Sequence, residues 1–262
     1  MLVERKNTLE NGNLKVTIVG DSFTEFYEDT YLEKICNNLN LKVIDHVGFR
    51  GGSQYRIYKK FLSQLEKSPD IMICVHTESS RLYKDNYCIN SSTAKYFNTN
   101  PSADRITNKP PEVYKAADSY YRHIYNEECS KFFHNLTISD MQKLCNIKNI
   151  KMVNIPAFYN SYINKHYGLW LSIQPDGLLT ISNKCMNLEK KSFIFEDYKN
   201  LKNHITPEYH DFIADKFSHH IFSYILDNVS KNIIFNEGSS KGRTRDFDSW
   251  YWGSNPCPST NI

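Results

Sequence analysis

The sequence predicts an α/β fold built around a parallel sheet. Two patterns carry that expectation. Short apolar runs rich in β-branched residues, with almost no polar face, suit strands covered on both sides. Between them lie longer segments whose apolar residues recur at helical spacing. A chain of 262 residues is long enough to bury one large core, and no two-domain linker interrupts it.

The first strand is Lys15 to Gly20, centred on Val16, Ile18 and Val19, and it stops abruptly at Gly20-Asp21-Ser22. Phe23, Phe26, Tyr27, Tyr31, Ile35, Cys36 and Leu39 then predict a helix packed back on the sheet. Ser22 falls at the turn, at the carboxyl end of a parallel strand, where open α/β sheets bind ligands. Two roles are open for it: helix N-cap or nucleophile, the latter helped by neighbouring N–H groups and a helix dipole. Lys42 to Asp45 is the second strand and Val47 to Ser53 a glycine-rich loop. Ile57, Tyr58, Phe61, Leu62 and Leu65 mark a second helix, ended by Ser68-Pro69. Asp70 to His76 is the third strand. Such alternation implies right-handed parallel crossovers.

Residues 77–111 are polar and lack sustained periodicity, which predicts a long excursion over the active edge of the sheet. Glu112 to Phe133 predicts a helix with Tyr114, Ala117, Tyr121, Ile124, Tyr125 and Phe132 on its apolar stripe. Ile138 to Cys145 follows as a second helical piece, then Ile150 to Ile155 as a fourth strand closed by Pro156. Residues 157–200 show no assignable period and form a second excursion, a lobe beside the site. A final helix runs from Pro207 to about Asn228, with Thr206 as its cap. The domain is therefore expected to span 1–230. Residues 231–262 form a separate tail carrying Trp250, Tyr251 and Trp252, which would dock on the chain's own body or anchor a protein partner or a second copy.

Composition narrows the function. The net charge is +3 with both signs interspersed, so no basic footprint points to nucleic acid. No stretch has the length of a membrane span, and Met1 to Asn13 is charged and polar, unlike a secretory signal. A soluble protein, cytoplasmic as synthesised, is expected. Seven cysteines without a C-x-x-C pair argue for a reducing compartment and against a zinc knuckle, with Cys36, Cys74 and Cys145 as small buried hydrophobes. His210, His219 and His220 show no metal-ligand spacing, and no metal or organic cofactor is expected. Eighteen Tyr among many Asn and Lys, with few Gly, also suit a viral or phage protein carried in a virion.

Three blocks in order, Gly20-Asp21-Ser22, Gly51-Gly52 and Asn203-His204-Ile205-Thr206-Pro207, resemble those of the SGNH (GDSL-type) hydrolases across about Lys15 to Asn228. The resemblance implies a flavodoxin-like three-layer sandwich and hydrolysis or transfer of small O-acyl groups, such as O-acetyl on carbohydrate. It implies Ser22 as nucleophile, Gly51 and Gly52 at the oxyanion hole and His204 as general base. Two family residues are absent. The third strand ends His76-Thr77-Glu78-Ser79 where the family has Gly-x-Asn-Asp. Either Thr77 or another donor replaces the Asn, or Glu78 turns aside to pair with Arg81. Three residues before His204 stands Leu201 in place of an Asp, which leaves Asp197 or Glu196, a Ser-His dyad, or loss of activity. Arg81 is read as the ion-pair partner of Glu78 and Arg50 as the better candidate for an anionic substrate. The alternative function is a catalytically weak or inactive SGNH-like subunit of a viral assembly.

Overall fold

Each core strand is an apolar run buried along nearly its whole length, the pattern expected when helices cover both faces of a sheet. In a computed structural model, residues 14–84, 87–99, 111–158, 162–174, 177–185, 201–227 and 231–236 are described. The strands are β1 (Lys15–Gly20), β2 (Lys42–Gly48), β3 (Ile71–His76), β4 (Leu82–Lys84), β5 (Tyr87–Ile89), β6 (Lys151–Pro156), β7 (Leu169–Gln174) and β8 (Lys231–Asn236). The helices are α1 (Tyr31–Asn38), α2 (Gln54–Leu65), α3 (Ser91–Thr99), α4 (Pro111–His123), α5 (Glu127–Ile147), α6 (Leu178–Cys185) and α7 (Pro207–Asp227).

β1, β2, β3, β6, β7 and β8 form one parallel sheet in the order β2-β1-β3-β6-β7-β8. That is the flavodoxin-like winding with one more strand at the far edge. One core, with Ile18, Ile73, Val153 and Leu171, faces α1, α6 and α7. On the other side Val19, Met72, Cys74 and Met152 meet α2 and α5 through Ile57, Phe61, Met141 and Cys145. Cys36, Cys74 and Cys145 are buried, as expected of small hydrophobes.

Several expectations need correction. The segment after Ser22 is not one helix. A three-residue 3-10 turn, Ser22–Thr24, precedes a loop, and α1 begins only at Tyr31. Side chains take the carbonyls that a helix would use: Tyr31 Oη donates to the Phe23 carbonyl at 3.1 Å and His46 Nε2 to the Thr24 carbonyl at 2.7 Å. The helical break lies at Asn126, whose side chain accepts from the Cys129 N–H at 2.8 Å, so α5 runs unbroken through Phe133. Phe132 and Ile124 are accordingly exposed. The 77–111 excursion contains the β4–β5 hairpin and α3, which pack with α4 around Ala94, Phe97 and Tyr114. Within 157–200 lie β7, a member of the main sheet, and α6. The boundary at 230 also fails, because β8 pairs with β7 over six residues, Leu169↔Lys231 to Gln174↔Asn236. Trp250, Tyr251 and Trp252 lie outside the described residues.

A concavity of about 490 Å³ opens at the amino ends of β1, β3 and β6, lined by Leu14, Asp70 and Ile150 among others. It is at the opposite end of the sheet from Ser22. No helix among the described residues is long and apolar enough to cross a membrane.

Candidate active site

Ser22 leaves β1 at the carboxyl edge of the sheet, between β2 and β3. Asp21 shapes the turn. Its Oδ1 accepts from the Phe23 N–H at 3.0 Å, and its carbonyl accepts from the Thr24 N–H at 3.0 Å and the Thr24 hydroxyl at 2.7 Å. The turn lies tight against β2: a Cβ on Gly48 would come within 2.2 Å of the Thr24 carbonyl carbon and oxygen, so only glycine fits. Ser22 is 7% exposed, and its hydroxyl has no hydrogen-bond partner among the described residues. A turn this short carries little of the dipole expected from a full helix start.

His204 reaches the same place from the loop before α7. Asn203 and His204 have consecutive positive φ angles of 51° and 63°. Asparagine tolerates that region because its short amide bonds locally, whereas histidine there is strained. The strain is held in place by Asn203, whose Oδ1 accepts from the Phe26 N–H and whose Nδ2 donates to the Phe26 carbonyl, both at 2.8 Å. The His204 ring then packs edge-on against Phe23, with centroids 5.2 Å apart. Burial lowers the His204 pKa, Glu25 opposes that, and Arg81 and Arg50 add to it. An imidazole so biased is neutral near pH 7, the form a general base needs.

The expected oxyanion donors are largely engaged. The Gly52 N–H donates to the Phe49 carbonyl at 2.7 Å, closing the loop on itself. Gly51 has a positive φ of 63° with open space around it, so its glycine serves the turn. The Thr77 N–H donates to Gln54 Oε1 at 3.3 Å, and the Thr77 carbonyl accepts from His134 Nε2 at 3.0 Å. Glu78 is turned aside: its Oε1 accepts from Arg81 Nε at 2.8 Å and from Asn90 Nδ2 at 3.3 Å. Arg81 also donates from Nη1 to the Gly52 carbonyl at 3.3 Å and stacks over Phe158, 4.9 Å from its centroid. Its side chain is only 9% exposed.

Asp21 is fully buried, and burial pushes its pKa up to about 6 against the pull of Arg81, the Phe23 N–H and the Thr77 hydroxyl, with Glu78 adding to the rise. Arg50 is committed to Glu25, with Nε 3.0 Å from both carboxylate oxygens and Nη2 2.8 Å from Oε1. Asp197 and Glu196 lie outside the described residues. Among the described residues no three His, Cys, Asp or Glu side chains converge as metal ligands.

A buried polar chain supports the end of β3. His76 Nε2 donates to Asn154 Oδ1 at 2.9 Å, and Gln54 Nε2 donates to His76 Nδ1 at 3.1 Å. The His76 ring stacks on Trp170 at 5.5 Å, and burial holds its pKa down to about 4. His210 accepts at Nδ1 from the Tyr31 N–H at 3.1 Å and so closes the start of α1. None of Gly48, Glu25, His76, Asn154 or Phe158 stands out in the sequence; of the site's supports only Asn203 carries a signal, being an Asn before a candidate base.

No protein-family model matches the chain, and no curated protein matches it. Solved structures similar to it include the psychrotrophic esterase EstA from Pseudoalteromonas sp., at 10% identity and TM-score 0.42 over 81% of this chain and 99% of that one. Another is a catalytic mutant of the acetylxylan esterase Axe2 from Geobacillus stearothermophilus, at 12% identity and TM-score 0.40 over 80% and 94%. A third is a GDSL-like lipase from Bacteroides thetaiotaomicron, at 12% identity and TM-score 0.32 over 90% and 78%. At such scores the likeness is one of general fold, and the assignment of fold here stands on the strand order and its flanking helices.

Proposed function

We propose that this chain is a serine ester hydrolase of the SGNH type acting on small O-acyl groups. The observation that carries the reading is the packing of the His204 ring on Phe23, the residue that follows Ser22 at the carboxyl edge of the sheet, with the histidine biased toward its neutral form. Ser22 Oγ attacks the acyl carbonyl while His204 takes its proton. The tetrahedral oxyanion collapses, the alcohol leaves with the proton from His204, and water repeats the sequence to release the acid and restore Ser22. Attack by a second alcohol in place of water would make the same site an acyltransferase.

Arg81 is the group best able to meet the oxyanion, together with the Ser22 N–H. It is nearly buried, bridges Glu78 and the glycine loop, and its charge acts on both Asp21 and His204. A guanidinium fork supplies fixed donors where a water-excluded site makes them count most. An acylated carbohydrate suits the rim, where the exposed Tyr55 pairs with Tyr83 at 5.4 Å, two residues beyond Arg81.

Hydrolysis of a p-nitrophenyl ester panel by the wild type and by Ser22→Ala tests the reading. Loss of the enzyme-dependent rate in Ser22→Ala is expected; equal rates would refute it. A second reading, an inert SGNH-like subunit, is favoured by the engagement of the Gly52 N–H with Phe49, and a wild type without activity on any ester of the panel would support it.

A further inference from the structure

His204 lacks an acid three residues before it, yet a carboxylate reaches its surroundings from the nucleophile turn. Glu25 directly follows Ser22–Thr24, and its side chain is 24% exposed. The adjoining Phe26 is clamped through both its N–H and its carbonyl by Asn203, the residue before His204. Segments 25–26 and 203–204 therefore lie side by side, and the His204 ring rests on Phe23, two residues before Glu25. Arg50 holds both oxygens of Glu25 through three contacts of 2.8–3.0 Å.

We propose that Glu25, fixed by Arg50, is the positioning carboxylate of His204 and takes the place of the acid absent at Leu201. The proposal rests on the reading of Ser22 and His204 as nucleophile and base. Glu25 stays ionised throughout; the proton from Ser22 remains on the imidazole, and the carboxylate offsets the charge that forms there. Among the described residues, the charges that act on His204 are those of Glu25, Arg81 and Arg50. Glu78 pairs with Arg81 as Glu25 does with Arg50, so without Glu25 the Arg50 guanidinium would oppose the imidazolium uncompensated. With it, Arg50 is neutralised, as Arg81 is by Glu78.

Glu25→Gln and Arg50→Gln in the full-length chain test this, with the His204 ring titrated by NMR and its signal assigned through His204→Gln. In Glu25→Gln the His204 pKa should fall and kcat should drop by about 10- to 100-fold with KM nearly unchanged, part of the roughly 10²–10⁴ that a placed acid–base group supplies. In Arg50→Gln the His204 pKa should rise, and Glu25→Asp should recover part of the lost kcat. A His204 titration that is unmoved in Glu25→Gln, or that moves the same way in both variants, would overturn the proposal. The two readings fail separately. A wild type without Ser22-dependent hydrolysis would remove the esterase assignment, while the titration alone decides whether Glu25 is the partner of His204.

Discussion

Replacing Asn203 probes how the strained loop before α7 holds the candidate base. Asn203→Ala removes two hydrogen bonds to Phe26, each worth about 0.5–1.5 kcal/mol. Phe26 is 43% exposed, so water recovers part of that loss, and about 1–2 kcal/mol is expected from the pair. Alanine must also adopt the φ of 51°, which costs roughly another 1 kcal/mol. The total is about 2–3 kcal/mol. Asn203→Gly loses the same hydrogen bonds without the steric cost of a Cβ, so it should be the milder change by about 1 kcal/mol. Urea unfolding of the three proteins measures the order wild type, Gly, Ala. Both variants should also lose kcat more than their stability loss explains, because the clamp that brings His204 beside Phe23 is gone. Equal stability of Ala and Gly variants, or wild-type kcat in either, would refute the clamp.

His76, His134, His210 and His220 are held neutral by burial, with pKa values lowered to about 4, 3, 4 and 4. The unfolded chain therefore binds more protons below pH 6.5, and stability should fall as the pH drops from 6.5 toward 4, by an amount of order 2–3 kcal/mol from His76 alone. Asp21 acts the other way: its folded pKa of about 6 lies above the unfolded value of 3.8, so the folded state gains protons first. Asp21→Asn should accordingly lose stability more steeply on acidification between pH 6 and 4, and urea midpoints independent of pH in that window would contradict the account. Arg81→Met should lower kcat by about 10²–10³ if its fork meets the oxyanion. The double variant Glu78→Gln/Arg81→Met should be as slow, since it removes the carboxylate left unpaired; recovery of kcat in the double variant would assign Arg81 a purely structural role.

The sheet was legible where burial on both faces leaves a nearly continuous apolar run. β1, β3 and β6 are of that kind, and the positions of Val16, Ile73 and Val153 in the core follow from it. β7 and β8 were hidden for different reasons. Leu169 to Gln174 carries the partly exposed Ser172 and Gln174 and enters from Gly168, whose φ of 88° starts a turn no periodicity reveals. Lys231 to Asn236 is an edge strand with polar ends, and Ile234 is half exposed. The helical spacing after Ser22 misled because it was interrupted by Tyr31 and His46, side chains that take backbone carbonyls and whose reach depends on tertiary contact. Ser22 and His204 were visible as residues in the right order. Glu25 was not, since what brings it to His204 is an amide from Asn203 across 177 residues of chain.

The nucleophile assignment is the claim on which the rest depends, and covalent trapping tests it directly. An aryl alkylphosphonate ester has a good leaving group and a tetrahedral centre that captures an activated serine. Peptide mass spectrometry after exposure of the full-length chain should find one phosphonyl adduct, on the peptide carrying Ser22, and none in Ser22→Ala or at a much slower rate in His204→Gln. Adduct formation at other hydroxyls with Ser22 unmodified would contradict the account.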